Sequence, residues 1–543
     1  MNNDRLELWW DGNRNKIIFD SDAIISQIKN TACPLYVVQD SETVGISSEG
    51  KISSQKIEPY TFPCLGIVPA ILPSDLGERS FCTDYNTSYA YYGGAMANAI
   101  ASERMVIELG RAGFMGSFGT GGLSTNRIEE AIKKIQKELP EGPFAFNLLY
   151  TPGNELFEKQ IIDIFLKYRI RAIEAAAFLT ITPPLVSYRA HGLSKDINGK
   201  ILIKNKIIAK ISRREVAEAF MRPPSPPLIN DLVINGLISK EQAELALQVP
   251  LADDITVEAD SAGHTDNRPL LVLLPTIMAV RDEINRQYTY QKQIRVGAAG
   301  GISNPQSALA SFMMGAAYIV TGSINQSTVE AGTSEQVKIL LAQADIADVM
   351  MTPSSDMFEM GVRVQVLKRG TMYPLNAKKL HDHYLAYNSI EAIPSVERDR
   401  LEKKVFKKDT QSIWIEIVNY FQRLDPSQVE RANKEPKHKM ALIFRWYLGK
   451  SSQWAIEGEP ARTIDYQIWC GPAMGSFNQW VKGTYLERHE NRHIAAIAQH
   501  ILLGAAGLYR LKLLQQIAGT TINFRPEDFL FKPDITQINS RCK

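Results

Sequence analysis

The sequence predicts an α/β protein built on an eight-stranded (β/α) barrel, with a helical insertion after the fifth strand and a mostly helical C-terminal region. Short apolar runs alternate with helical patterns from about residue 62 to 341, which is typical of repeated βα units. About eight strands with crossover helices over roughly 250 residues is the usual size of such a barrel. A doubly wound open sheet is the alternative, and the glycine positions described below favour the barrel.

The barrel prediction depends on eight apolar runs and the helical patterns between them. The predicted strands are Tyr91–Met96, Gly113–Phe118, Phe144–Leu149, Ala172–Ala176, Lys206–Ile211, Ile255–Ala259, Ile294–Ala298 and Tyr318–Thr321. The predicted helices include Ser102–Arg111, Arg127–Leu139, Leu156–Tyr168, Pro305–Met314 and Val329–Ala342.

An insertion at about residues 222–250 interrupts the pattern between strands five and six. It opens with RPPSPP (Arg222–Pro227), where prolines stop a helix and force an extended path. A helical hairpin follows, and Ser239 with Gln242 predicts a capping box for its second helix. The insertion could act as a lid or as a packing accessory.

The remaining chain divides around the barrel. We predict a small N-terminal element at residues 1–61, the barrel at 62–345 and a helical C-terminal domain at 346–543. Near the C-terminus, Ile494, Ile497, Ile501 and Leu502 recur at helical spacing, which predicts one buried helix face.

Composition excludes several functional classes. The chain has 61 basic and 59 acidic side chains, a formal net charge of +2, so no general attraction to nucleic acid is expected. Its five cysteines form no C-x-x-C pair, which argues against a disulfide framework or a metal site. The most apolar run, LLVLLPTIMAV, is too short to span a bilayer and contains Pro275. We expect a cytoplasmic protein without membrane insertion.

Two glycine clusters end the barrel region. They are VGAAGGISNP (Val296–Pro305) and GAAYIVTGS (Gly315–Ser323). Glycines let backbone N–H groups approach a phosphate closely, and a following helix N-terminus supplies favourable partial charge. The loops after strands seven and eight are the usual phosphate site of a barrel. The clusters therefore predict a phosphate site, with packing turns as the alternative.

Several motifs resemble a known family. The run GAMA…IAS…AGFMGSFGTG, the turn EADSAGHTD and the two glycine clusters resemble the flavin-binding TIM barrel of nitronate monooxygenases and FabK-like enoyl reductases. The sequences EADSAGHTDNRPL, RPPSPP and DYQIWCGPAMGSFNQWV…LERHENR are similar to PfaD-type, trans-acting enoyl reductases of polyunsaturated fatty acid and polyketide synthases. This resemblance covers essentially the whole chain.

The resemblance implies an FMN site at the strand ends. Asn147 would bond the pyrimidine edge of the flavin, and Lys210 would place a cation beside it. The ring would be lined by Ala95, Met96, Gly116 and Ser117. The ribityl chain and phosphate would be bound by Gly263, Gly300, Gly301, Gly322 and Ser323. An amide suits the pyrimidine edge because it offers both a donor and an acceptor. Asn147 could instead cap a turn, and Lys210 could be ion-paired inside the barrel.

The turn EADSAGHTD supplies the predicted catalytic residues. His264 would contact the substrate, and Asp260 would either orient its imidazole or hold the turn through backbone N–H groups. His191 is the weaker competitor. A structural role for a lone loop histidine is the alternative.

The activity implied by the resemblance is FMN-dependent reduction of enoyl thioesters on acyl carrier protein, by a homodimer working in trans with a multi-enzyme synthase. The chain has no GxGxxG strand–turn–helix unit, so NADPH or NADH is expected to visit only transiently. The alternatives are a nitronate monooxygenase-like oxidase and a non-catalytic flavin-binding protein of the synthase. Val320 stands where nitronate monooxygenases typically carry glutamine, which argues against the oxidase.

Overall fold

The computed structural model describes residues 8–57, 60–151, 155–519 and 531–534. The N-terminal part is an antiparallel sheet of five strands in the order β3-β2-β5-β1-β4. Its elements are β1 (Trp9–Asp11), α1 (Ser21–Lys29), β2 (Leu35–Asp40), β3 (Thr43–Ser47), β4 (Lys51–Ser53) and β5 (Thr61–Val68).

A closed barrel of eight parallel strands follows, which confirms the predicted fold class. The barrel strands run in the order β12-β13-β15-β16-β6-β7-β8-β9. The elements of this part are α2 (Arg79–Tyr85), β6 (Tyr91–Gly93), α3 (Glu103–Arg111), β7 (Met115–Phe118), α4 (Thr125–Glu138), β8 (Phe144–Leu149), α5 (Glu155–Lys167), β9 (Ala172–Ala176), α6 (Pro183–His191), β10 (Leu193–Lys195), β11 (Ile201–Ile203), β12 (Lys206–Ile211), α7 (Arg214–Met221), α8 (Pro226–Ile234), α9 (Lys240–Ala246), β13 (Asp254–Glu258), β14 (Gly263–His264), α10 (Leu270–Gln287), β15 (Arg295–Ala299), α11 (Pro305–Met313), β16 (Ile319–Thr321) and α12 (Glu335–Ala342).

All eight predicted strands overlap an observed barrel strand, and four of the five predicted helices agree within two residues at each end. The exception is α12, which begins at Glu335 rather than Val329 because the Ser334 side chain caps its N-terminus.

Polar side chains close the barrel at the N-terminal ends of its strands. The Arg295 guanidinium donates to both carboxylate oxygens of Asp254, at 2.6 and 2.9 Å. The Tyr85 hydroxyl donates to the same carboxylate at 2.5 Å. Because this end is filled, the C-terminal ends of the strands remain as the place for a site, as in other barrels.

The helical insertion forms as predicted, with a capping box between Ser239 and Gln242 at the start of α9. Both α8 and α9 pack on α6. Their side chains Ile229, Leu232 and Leu245 are buried in the largest hydrophobic core. These contacts support the packing accessory over the lid.

The C-terminal region is mostly helical, as predicted. Its elements are β17 (Val349–Pro353), β18 (Arg363–Leu367), α13 (Tyr373–Ala386), α14 (Ser395–Arg400), a π-helical turn (Leu401–Phe406), α15 (Thr410–Leu424), α16 (Pro426–Lys434), α17 (Pro436–Glu457), α18 (Ala473–Val481) and α19 (Ile494–Ala518). The strand pair β17–β18 was not predicted. It forms a three-stranded sheet with β14, in the order β14-β18-β17.

Helix α19 links the first and last parts of the chain. It packs against α11, α1 and β5. The buried Arg510 side chain donates to the carbonyls of Ile28 at 2.8 Å and Cys33 at 2.6 Å, just at and beyond the end of α1. By length and composition α19 is the one described helix that could cross a membrane, but 72% of its most apolar stretch is buried inside the protein. It is therefore a core helix of this fold.

Candidate functional site

The C-terminal ends of the barrel strands bring most of the predicted site residues to one rim. Ser117 lies on β7 and Asn147 on β8, and both side chains are buried. Ala95 and Met96 follow β6 after Gly94, and the Met96 carbonyl accepts a hydrogen bond from the Ala101 N–H at 3.2 Å. The Ser117 hydroxyl has no hydrogen-bond partner in the part of the chain that the structure describes. A buried hydroxyl without a partner fits a site that receives a polar group from a ligand.

A charged cluster lies across three neighbouring strands at this rim. The Lys210 Nζ atom on β12 is 3.0 Å from Glu258 Oε1 on β13 and 3.6 Å from Glu174 Oε1 on β9. Burial alone lowers the pKa of Lys210, but Glu258 and Glu174 more than offset it and raise that pKa above its ordinary value. The structure therefore shows Lys210 ion-paired inside the barrel, the alternative that the sequence left open.

Glu174, which sequence reasoning missed, joins the predicted cofactor residues to this cluster. Its side chain is fully buried, and its Oε2 atom accepts a hydrogen bond from the Ala95 N–H at 3.1 Å. The Asn147 amide donates to the Glu174 backbone carbonyl at 3.1 Å. A glutamate within an apolar strand was the available sign, because a buried carboxylate needs a partner.

The predicted cofactor glycines fall into two groups. A Cβ atom built at Gly263, Gly301 or Gly322 would have no described atom within 4 Å. A Cβ atom at Gly116 would lie 2.8 Å from Val106 Cα, and one at Gly300 would lie 2.8 Å from the Ala259 carbonyl carbon. Gly263, Gly301 and Gly322 thus leave open space in which a ligand could approach the backbone. Gly116 and Gly300 serve close packing between elements.

The C-terminal region closes on the two glycine-rich loops. The Gly471 N–H donates to the Ser323 hydroxyl at 3.1 Å. The Ser476 hydroxyl at the start of α18 accepts hydrogen bonds from the Ser303 hydroxyl at 3.0 Å and the Asn304 amide at 3.1 Å. The segment CGPAMGS, which the sequence alone placed in no particular role, therefore supports the predicted phosphate loops. Ser323 is already bonded to this segment.

The turn after strand six is held by the C-terminal sheet. Residues Gly263 and His264 pair antiparallel with Gln365 and Val364 of β18. Asp260 Oδ1 accepts hydrogen bonds from the Gln365 and Asn267 amides, each at 2.8 Å. Asp260 therefore holds the turn, although through side-chain amides rather than the backbone N–H groups that were expected. The structure does not bring Asp260 and the imidazole together.

The partner of His264 is a residue that the sequence did not reveal. His264 Nε2 lies 3.3 Å from Asp356 Oδ1, in the loop between β17 and β18. Burial lowers the pKa of His264, but Asp356 and Glu258 raise it above the ordinary value. Burial would raise the pKa of Asp356, yet His264 lowers it to about 2. The arrangement can hold an imidazolium beside a carboxylate, which suits proton donation near neutral pH.

The competing histidine lies elsewhere. His191 is in the last turn of α6, where its ring bonds to the Ser187 carbonyl at 2.8 Å. This helix end leads toward β12 at the opposite end of the barrel, so His191 is not part of the site. Val320 is buried on β16, beside Gly94.

Comparisons with known proteins agree with this architecture. The nitronate monooxygenase family model matches residues 79–392. The model of the fatty acid synthase subunit PfaD N-terminal domain matches residues 10–70. The model of the inserted helical domain of [acyl-carrier-protein] S-malonyltransferase matches residues 387–466.

Two curated relatives and one solved structure are similar over most of this chain. A polyunsaturated fatty acid synthase protein of Thraustochytrium sp. is 43% identical over 510 residues, 92% of this chain and 33% of that protein. The polyketide biosynthesis protein PksE of Bacillus subtilis is 43% identical over 506 residues, 92% of this chain and 64% of that protein. The chain thus spans less than two thirds of either relative.

The solved structure is the enoyl reductase domain of MlnA, from the macrolactin biosynthesis cluster of Bacillus amyloliquefaciens. It is 40% identical, with a TM-score of 0.78 over 82% of this chain and 99% of that one.

Proposed function

This chain belongs to the PfaD-type branch of the nitronate monooxygenase family, a family of flavin-dependent oxidoreductases, and we propose that it is an FMN-dependent enoyl reductase. Its substrates would be enoyl thioesters on an acyl carrier protein, and its reductant NADPH or NADH. The observation that carries the assignment is the 40% identity to the enoyl reductase domain of MlnA, of which this chain covers 99%.

The residues at the rim fit FMN. Gly301 and Gly322 leave open space at the loops after strands seven and eight, where a phosphate would approach backbone N–H groups. The Ser117 hydroxyl, which has no partner among the described residues, and the amide of Asn147 would face the ring. Bound FMN would supply hydride transfer from a nicotinamide to the β-carbon of the enoyl thioester.

The chain's own residues would supply the proton. His264 lies on the rim with its side chain 43% exposed, so a substrate can reach it. An imidazolium there can polarise the thioester carbonyl or donate a proton to the α-carbon. The Lys210 ammonium group lies between the carboxylates of Glu174 and Glu258 at the same rim.

We also propose that the enzyme works in the cytoplasm, in trans with a multi-enzyme synthase. Two observations support this. The curated relatives are named as parts of polyunsaturated fatty acid and polyketide synthesis. The four cysteines within the described ranges are free thiols, as expected in a reducing compartment.

The test is a two-step reaction without oxygen. The purified protein is first reduced with NADPH, and bleaching of the flavin absorbance is followed. An enoyl thioester on a carrier protein is then added, and we expect the absorbance to return with formation of the saturated thioester. NADH in place of NADPH measures the preference for the reductant.

Two outcomes would contradict the proposal. Oxygen consumption with an alkyl nitronate in the absence of NADPH would indicate a nitronate oxidase, although the buried Val320 disfavours that activity. A flavin that is reduced by neither nicotinamide and reoxidised by no thioester would indicate a non-catalytic protein of the synthase.

A further inference from the structure

We propose that Asp356 is a positioning residue for His264, so that the proton-donating part of the site is a dyad shared between the barrel and the C-terminal region. This inference rests on the proposed function. The dyad joins a turn after the sixth barrel strand to a loop of a sheet that follows the barrel, 92 residues later in the chain.

The backbone holds both members in place. His264 pairs with Val364 of β18, and Val364 also pairs with Thr352 of β17. Strand β17 ends at Pro353, so the loop that carries Asp356 begins beside the strand that holds His264. The register therefore places His264 and the base of this loop on either side of Val364, and the two side chains lie 3.3 Å apart.

The loop itself is fixed on both sides. The Ser354 N–H donates to the Val362 carbonyl at 2.9 Å, which closes the base of the loop. The Arg445 guanidinium of α17 donates to the Ser355 carbonyl at 2.8 Å. Two residues after Asp356, the Phe358 ring is fully buried in the C-terminal core. A loop pinned in this way presents its carboxylate in a fixed position.

The His264–Asp356 contact adds little to the folding stability of the protein. The side chains of His264 and Asp356 are 43% and 56% exposed. An ion pair this exposed contributes little to the stability of the fold. Any large effect of removing Asp356 would therefore come from the chemistry of the site and not from the fold.

The electrostatic surroundings define the expected pH dependence. Two carboxylates act on His264: Asp356 from the β17–β18 loop and Glu258 from β13. Lys210 is paired to Glu258, and Arg363 precedes Val364, the residue that pairs with His264. The carboxylates raise the pKa of His264, so the imidazolium persists to higher pH than an ordinary histidine. Loss of Asp356 removes part of this effect, and proton donation should fail at lower pH.

The contact also indicates which atom donates. Nε2 faces Asp356, so Nδ1–H is the bond left for donation to a substrate. After hydride reaches the β-carbon, the electron pair of the resulting enolate forms the C–H bond at the α-carbon as the Nδ1–H bond breaks. The neutral imidazole then regains a proton from water, so the step is balanced.

The test compares Asp356→Asn and Asp356→Glu in the two half-reactions by stopped flow. For Asp356→Asn we expect normal FMN content, flavin reduction by NADPH at the wild-type rate, and reoxidation by the enoyl thioester slowed about tenfold to a hundredfold, the effect of a misplaced catalytic group. The basic limb of the reoxidation pH profile should move to lower pH. Asp356→Glu should recover part of the rate because it restores the charge.

The matched control is Asp382→Asn. Asp382 is 57% exposed and pairs with Lys378 at 2.8 Å on α13, also in the C-terminal region. It has the same residue type, exposure and kind of partner without a contact to His264. We expect both half-reactions and the pH profile of this variant to match wild type.

An NMR titration of labelled histidine provides a readout that does not depend on turnover, with His264→Gln assigning the resonance. Asp356→Asn should lower the titration midpoint of His264. An unchanged midpoint, or equal slowing of both half-reactions, would overturn the dyad while leaving the proposed function intact. Failure of the wild-type protein to be reoxidised by the enoyl thioester would instead refute the proposed function, and the donor role with it.

Discussion

Gly322→Ala is the most direct test of the predicted phosphate loop. Gly322 has a φ of −133°, outside the left-handed region. A Cβ atom there would meet no described atom within 4 Å. The added methyl group therefore clashes with no described atom, and we expect the Gly322→Ala protein to fold without ligand. It would, however, occupy space that a bound phosphate needs.

The expected loss of affinity follows from that difference. Forcing one extra methyl group into a well-packed contact costs about 1–3 kcal/mol, which corresponds to about a fivefold to 150-fold weaker FMN. FMN at about a hundred times its Kd stabilises the native state by about 2.7 kcal/mol. At equal FMN concentration, Gly322→Ala should lose roughly 0.9–2.4 kcal/mol of that stabilisation.

Flavin absorbance after gel filtration measures how much FMN the protein retains. The difference in Tm with and without added FMN measures how far FMN binding stabilises the protein. Gly449→Ala is the matched control, because a Cβ at Gly449 in α17 also meets no described atom within 4 Å. In a helix this change should stabilise by about 0.5–1 kcal/mol and leave flavin content untouched. Gly322→Ala protein with wild-type flavin content and a wild-type rise in Tm would refute the placement of the phosphate at this loop.

Three further predictions concern other residues. His264→Ala should keep FMN and its reduction by NADPH, while reoxidation by the enoyl thioester slows by about two to four orders of magnitude; equal slowing of both steps in stopped flow would show a structural role. Lys210→Met leaves Glu174 and Glu258 without a countercharge and should lower the free energy of unfolding by about 3–5 kcal/mol. Denaturant titration measures this, and adding Glu174→Gln with Glu258→Gln should restore most of it. Arg510→Met removes the donor from carbonyls near the end of α1, and each carbonyl left unsatisfied should lower the free energy of unfolding by about 1–3 kcal/mol. We expect faster proteolysis of the N-terminal sheet with unchanged flavin content. Equal proteolysis rates would contradict this.

The barrel could be predicted because its signals are local. Strand β15, for example, is five consecutive buried residues, and the glycine-rich loop and capped helix α11 follow directly. The N-terminal sheet offers no such pattern. Strands β1 and β4 have three residues each, and their pairing joins Trp9 to Ser53 across more than forty residues of chain. Short strands with distant partners carry little periodicity, so the sequence predicted only a small separate element there.

In the candidate site, too, local features could be predicted from the sequence and long-range contacts could not. The loops of Gly301 and Gly322 could be predicted because each follows a barrel strand directly. The partner of His264 could not, because the His264–Asp356 contact depends on β14 pairing with β18. Asp260 was left with two possible roles, and the hydrogen bond that ties it to the C-terminal sheet comes from the distant Gln365 amide. Long-range pairing, rather than local propensity, fixes these contacts.

The contacts of Gly471 and Ser476 with the two glycine-rich loops bear on when the proposed cofactor site would be complete during synthesis. The last barrel strand ends at Thr321, and a ribosome adding about 5–20 residues per second needs roughly eight to thirty seconds more to reach Ser476. During that interval the glycine-rich loops of the nascent barrel would lack their contacts with Gly471 and Ser476. We therefore expect cofactor capture to follow translation rather than to guide it, and a gene fragment that stops after the barrel to yield a colourless protein.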